Sequence, residues 1–397
     1  MKISGFGRVI DAELRVNFAK SNNIYTYLLP NESQMDRTVM VKGKEMIMLG
    51  SYNYLGLIGH PKINQAMKDA IDKFGSGAGG VRLLTGNHIL NQKLENRIAK
   101  FKGAEDAVIY SSGFIANLAV ISALFDKEDR LIIDKYAHQS IYRGCNLSGA
   151  SLERFKHNDM EDLRRVLEES KNFRKKMIIV DGVYSMEGDI AKLPEIIKLA
   201  KEYNANLMVD EAHSLGVLGE TGHGINEHFN IDVKDIDICM GTLSKTIPSI
   251  GGYIAGESRM INFLRHYSDP FIFSAALPPS DVAASIAAFD ILEEEKDRVI
   301  RLRENIKKYR DGIKKLGFKT IEAPTPIVPI IIGDDMSSFK FAKMMQNNGI
   351  YVLPVVYPAV PKDSGRLRTC LMSSHTDEDI DTVLDNLEKV GKEMKII

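Results

Sequence analysis

Between residues 107 and 256, short apolar runs alternate with stretches whose apolar residues recur at helical spacing. That alternation predicts βαβ units around a mostly parallel sheet, because strands buried on both faces read as near-continuous apolar runs. The expected strands are 107–110, 131–134, 177–180, 206–209, 237–240 and 253–255. Residues 160–169 and 193–203 are expected to cover the sheet as amphipathic helices. After Pro278-Pro279 the pattern changes: helices are expected over 284–294 and 298–316, strands over 325–333 and 350–354, and a closing amphipathic helix over 377–392. The division expected is an N-terminal arm and small-domain segment (1–50), a large α/β domain (51–282) and a smaller α+β domain (283–397).

Several expected strands run straight into polar clusters: Ser111-Ser112-Gly113, Asp134, Asp181-Gly182 and Asp210-Glu211-Ala212-His213. Open α/β sheets bind ligands outside the carboxyl ends of their strands, so these clusters should meet in one crevice. Composition narrows the ligand. The 397 residues carry 52 Lys+Arg against 53 Asp+Glu, a formal net charge of −1, so no overall field favours nucleic acid or an anionic membrane. A small molecule is expected instead. The three cysteines, Cys145, Cys239 and Cys370, show no metal-ligand or disulfide spacing, which fits a reducing cytoplasm. No run of about 18 apolar residues predicts a membrane span, and the first twenty residues do not read as a signal peptide.

The chemistry is carried by two strand ends. Gly241-Thr242-Leu243-Ser244-Lys245 follows an apolar run and precedes Gly251-Gly252. A lysine there is often a solvated end residue. Beside Thr242 and Ser244, whose hydroxyls suit a phosphate, a desolvated lysine becomes a carbonyl-attacking amine able to form a Schiff base. The glycine pair is expected to let backbone approach a planar ligand. Asp210, ending another strand, reads equally as a helix cap or as the carboxylate that keeps a pyridine nitrogen protonated. His213 is placed to meet a phenolic oxygen, or is a structural residue. His138, after a third strand, offers an imidazole face or is a surface-loop histidine. Ser112-Gly113-Phe114 opens a helix, whose N-terminal N–H groups favour an anion. The run Gly75-Ser76-Gly77-Ala78-Gly79-Gly80 matches the dinucleotide fingerprint but follows an amphipathic stretch, not a strand, so it is read as an active-site loop. The sum is an enzyme of pyridoxal 5′-phosphate (PLP).

The residues Gly50-Ser51-Tyr52-Asn53-Tyr54-Leu55-Gly56, Asp210-Glu211-Ala212-His213-Ser214, Gly241 to Lys245 and Arg366-Leu367-Arg368 resemble the α-oxoamine synthases of the fold-type I PLP enzymes. The resemblance covers nearly the whole chain. It implies a seven-stranded, mostly parallel sheet in the large domain. It implies an acyltransferase that condenses glycine, alanine or serine with an acyl-CoA or an acyl carrier protein, releasing the thiol and usually CO2. By motif, Lys245 would carry PLP, Asp210 would pair with the pyridine nitrogen and His213 with the phenolic oxygen, and His138 would stack on the ring. Ser112, Gly113 and Phe114 would surround the cofactor, joined by Thr242, Ser244 and Ser185. Arg368 would clamp the substrate carboxylate with help from Asn53. The segment Phe273 to Pro279 resembles one that reaches into a partner's site, implying a homodimer with Ser274 acting in trans. The Ser-Lys pair and the Ser-Ile-Gly-Gly after it resemble serine palmitoyltransferases. A plain class II aminotransferase is the competing reading; it needs a keto acid and no thioester.

Overall fold

The computed structural model describes residues 7–397. These form two compact units: a larger one of residues 52–303 with 323–325, and a smaller one of the residues before 52 with 304–322 and 326–397.

The larger unit is built on seven strands: β1 Asp106–Tyr110, β2 Arg130–Asp134, β3 Ser151–Phe155, β4 Lys176–Asp181, β5 Asn206–Asp210, β6 Ile238–Ser244 and β7 Pro248–Gly256. Their order across the sheet is β1-β7-β6-β5-β4-β2-β3. Of the seven, β7 alone runs antiparallel to its neighbours. Every residue of β4 is buried, as a strand covered on both faces requires. Six of the strands are those the alternation predicts. The seventh, β3, has the sequence Ser-Leu-Glu-Arg-Phe, lies at the sheet edge beside β2 and is half exposed, so no apolar run marks it.

Two helices matter for the site. Helix α1, Gly113–Leu124, is apolar nearly all round and sends Ala116, Ala119, Val120 and Ile121 into a core shared with Val108, Ile133, Ile179 and Met240. Helix α2, Gln139–Ser148, packs on α1; a Cβ at Gly144 would stand 3.1 Å from Asn117 O, so the close approach needs glycine. The helix Pro279–Glu294 packs on Pro61–Phe74 and Ile89–Lys102, and its Ala283, Ala284 and Ala288 are buried. It lies within the larger unit, whereas the C-terminal domain is expected from 283.

The smaller unit holds two three-stranded sheets, one of Thr38–Val41, Lys44–Met48 and Ile350–Tyr351, the other of Ile327–Gly333, Gly365–Cys370 and Leu353–Val355. The single strand expected over 350–354 is thus two short ones that join different sheets. The closing helix Asp377–Glu393 starts at a capping box between Thr376 and Asp379, which satisfies N–H groups left open at a helix start.

Candidate active site

Three adjacent strands of the larger sheet each end on a buried aspartate: Asp134 on β2, Asp181 on β4 and Asp210 on β5. Asp181 and Asp210 are register partners across β4 and β5. Burial, reinforced by the Asp210 charge, pushes the Asp181 carboxyl well above the usual carboxylate range. Asp210 is held at both oxygens: Oδ1 accepts the Ala212 N–H at 2.9 Å, and Oδ2 accepts from Asn117 Nδ2 at 2.8 Å.

Lys245 follows β6 directly. Its Nζ lies 2.8 Å from His213 Nε2 and 5.8 Å from the centre of the Tyr52 ring. The other nitrogen of His213, Nδ1, lies 2.7 Å from the Tyr54 hydroxyl. His213 and Tyr54 are both buried and Lys245 is half-buried, so the imidazole and phenol are shielded from water while the amine stands at the mouth of the file.

His138 caps α2. Its Nδ1 accepts the Ser140 N–H at 3.3 Å and lies 2.7 Å from Ser140 Oγ, which leaves Nε2 to carry the ring proton. Burial lowers its pKa; the Asp210 charge opposes this and the Lys245 charge adds to it. The ring stands edge-on to Phe114, with centroids 6.5 Å apart. His138 is therefore neither a freely solvated loop histidine nor isolated from Asp210.

Ser112 caps α1, its Oγ accepting the Ile115 N–H at 3.2 Å. Its hydroxyl hydrogen and the N–H groups of Gly113 and Phe114 remain at the helix start, where an anion is favoured. Thr242 joins this turn: a Cβ at Gly113 would meet Thr242 Oγ1 at 3.0 Å, and Thr242 Oγ1 lies 2.9 Å from Ser244 Oγ. Here the structure corrects one expectation. A Cβ at Gly252 would sit 2.5 Å from Gly113 Cα, so this glycine admits the Ser112-Gly113 turn, not a planar ligand.

The larger unit thus gathers Lys245, His213, Asp210, His138, Ser112, Gly113, Phe114, Thr242 and Ser244. Ser185 lies in the turn closed by Gly188 N–H to Tyr184 O at 2.8 Å, after β4. Asn53 folds its own segment, its Oδ1 accepting the N–H groups of Leu57 and Ile58 at 2.8 and 3.2 Å. Ser274 lines a small cavity with Arg82, Tyr110 and Ser111, beside the bridge between Val81 and Ala275. In the smaller unit, Arg368 is buried in the middle strand Gly365–Cys370, with Nη1 2.9 Å from Cys370 Sγ. The run from Gly75 to Gly80 follows the helix Pro61–Phe74, so the strand that a dinucleotide fold needs in front of it is not there.

Four residues that touch this constellation were given no role by sequence: Tyr54, Asn117, Ser140 and Asp181. Asn117 had a signal, being the one amide within the mostly apolar α1. Tyr54 had only its place in the Gly50 to Gly56 motif.

The donor set suits PLP chemically: an amine for the aldehyde carbon, a buried carboxylate for the pyridine nitrogen, an imidazole for the ring, and hydroxyls at a helix start for the phosphate. Comparison with known proteins points the same way. The family model for aminotransferase class I and II matches residues 44–387. An 8-amino-7-oxononanoate synthase of Thermoanaerobacter pseudethanolicus is 48% identical over 95% of this chain and 96% of its own. A serine palmitoyltransferase of Bacteriovorax stolpii is 42% identical over 95% of this chain and 90% of its own. Among solved structures, a serine palmitoyltransferase from S. paucimobilis with bound PLP–myriocin superposes over the whole of both chains with a TM-score of 0.95 at 32% identity.

Proposed function

This chain belongs to the class I and II aminotransferase family, in its α-oxoamine synthase group, and on that premise we propose which residues carry the reaction and which substrates they take. It is a PLP-dependent acyltransferase that condenses a small amino acid with an acyl thioester. When bound, PLP supplies the electron sink that steadies charge developing at the amino acid's α-carbon.

We assign the proton transfers to Lys245 and His213. The observation that carries this is the 2.8 Å contact of Lys245 Nζ with His213 Nε2, in a site closed behind by Tyr54. Nζ would hold the cofactor's aldehyde carbon and, as a free amine, would take the amino acid's α-proton. Asp210 holds the pyridine nitrogen, His138 the ring face, and Ser112, Gly113, Phe114, Thr242, Ser244 and Ser185 the remaining cofactor edges. Arg368 and Asn53 take the substrate carboxylate, a task suited to a planar guanidinium. The chain acts as a homodimer, with Ser274 contributed to the partner's site. Its three cysteines are free and buried, which suits a cytoplasmic enzyme. No helix among the described residues is long and apolar enough to cross a membrane.

The relatives' names suggest the substrates. 8-Amino-7-oxononanoate is a nine-carbon acid with its amine beside a ketone, which divides into a decarboxylated three-carbon amino acid and a seven-carbon dicarboxylic acyl group. Alanine with such an acyl thioester is therefore the first reading, supported by the 48% identity. Serine with a long acyl chain is the second, favoured by the superposition on serine palmitoyltransferase. Thiol release from PLP-loaded protein, measured with glycine, alanine and serine against acetyl-, pimeloyl- and palmitoyl-CoA, decides between them. Alanine with pimeloyl-CoA is expected to turn over fastest, and Lys245→Ala to abolish turnover. Transfer of the amino group to a keto acid without thiol release would overturn the assignment.

A further inference from the structure

We propose that Asn117 and Ser140 are positioning residues that join His138 to Asp210 through one directed hydrogen-bond chain. The proposal rests on the roles given above to His138 and Asp210. Asn117 lies one turn into α1 and Ser140 at the start of α2, and both are fully buried.

Asn117 Nδ2 is 2.8 Å from Asp210 Oδ2 and 2.8 Å from Ser140 Oγ. An amide nitrogen only donates, and it has two hydrogens, so both are committed. Turning the amide over would set its carbonyl oxygen against the Asp210 carboxylate, which fixes its orientation. Ser140 Oγ accepts one of these hydrogens and is left with its own, which points at His138 Nδ1, 2.7 Å away. The chain of donors therefore runs from Asn117 through Ser140 to His138. Its end holds His138 in the tautomer protonated at Nε2. Its other branch holds Asp210 Oδ2, the carboxylate oxygen that the Ala212 N–H does not reach.

The helices serve this chain. Gly144 lets α2 approach α1 beside Asn117, where a side chain would crowd the Asn117 backbone carbonyl and the Ile121 side chain. Asn117 Oδ1 is buried without a hydrogen-bond partner. An amide chosen only to fill space would not leave its acceptor unmet while directing both donors at functional groups.

The test compares Ser140→Ala, Ser140→Thr, Asn117→Ala and the double alanine variant in PLP-loaded protein. Each alanine variant is expected to lower kcat about tenfold, with KM for the acyl thioester held within about twofold. Each should also weaken PLP binding to apoprotein and shift the pH midpoint of the bound cofactor's visible absorbance. Ser140→Thr, which keeps the hydroxyl, should restore all three. The double variant should be no worse than Asn117→Ala alone, since a broken chain cannot be broken twice. Wild-type spectra and affinity in Ser140→Ala, failure of threonine to rescue it, or effects that simply multiply in the double variant would each overturn the proposal. His138→Ala and Asp210→Asn serve as reference. If they alter spectrum and affinity while the network variants do not, the network fails and the assignments stand. If they also leave both unchanged, the underlying assignments fall and the network with them.

Discussion

His213 is held from both sides, and its tautomer follows from its neighbours. A Lys245 ammonium can only donate, so at 2.8 Å His213 Nε2 accepts, and Nδ1 carries the proton to the Tyr54 oxygen 2.7 Å away. Tyr54→Phe removes that acceptor and leaves a buried N–H unmatched, a loss of about 1–3 kcal/mol. The expected result is a roughly tenfold fall in kcat with amino-acid KM little changed, read by steady-state kinetics. A wild-type kcat would mean that the phenol is only packing. Lys245, Asp210 and His138 stand out as candidates in the sequence because each ends or follows an apolar strand, where a polar residue has few other reasons to be. Tyr54 was not, because its partner stands 159 positions away in the chain and no local pattern records that pairing.

The loops after β2, β3 and β4 are pinned together by one side chain. His157, just past β3, bonds Asp134 Oδ1 through Nδ1 and Asp189 Oδ2 through Nε2, each at 2.9 Å. Its ring is packed between those of Tyr136 and Tyr184. Burial alone would lower its pKa, but the hydrogen bonds and charges of Asp134 and Asp189 outweigh that and push it up to about 10. The loop from β2 carries His138 and the loop from β4 carries Ser185, so the clamp sets elements that bear candidate site residues. Because the folded-state pKa lies above the ordinary 6.5, the clamp's stabilisation is complete below that pH and is lost as pH rises through about 10. The melting temperature is expected to fall by several degrees between neutral pH and pH 10, and His157→Gln to flatten that slope. Parallel slopes in the two proteins would show that the imidazolium is not the titrating group. The strand feeding this clamp is the one the alternation missed. An edge strand needs only one apolar face, and β3 meets that need with scattered residues, whereas the five strands interior to the sheet announce themselves by burial on both sides.

For the whole molecule, the larger unit leaves apolar groups in water that a lone chain has no reason to expose. Leu84 and Phe273 are each 77% exposed, on either side of the bridge that joins Val81 to Ala275. Leu83 and Ile89 add to the same stretches of chain. A second copy related by a twofold axis would cover such a surface and carry Ser274, which adjoins it, towards the other site. Shared sites make a prediction that separate ones cannot. If each site takes Lys245 from one protomer and Ser274 from the other, a dimer of Lys245→Ala with Ser274→Asp gathers both lesions into one site and leaves the other intact. Unfolding and refolding an equal mixture of the two inactive variants would then give half mixed dimers, each with one working site, and so about a quarter of wild-type activity. If Ser274 serves its own chain, every site in the mixture keeps one lesion and no activity returns. Measuring thiol release before and after mixing separates the two cases, because the recovered fraction depends on which protomer supplies each residue and not on how severely either substitution acts.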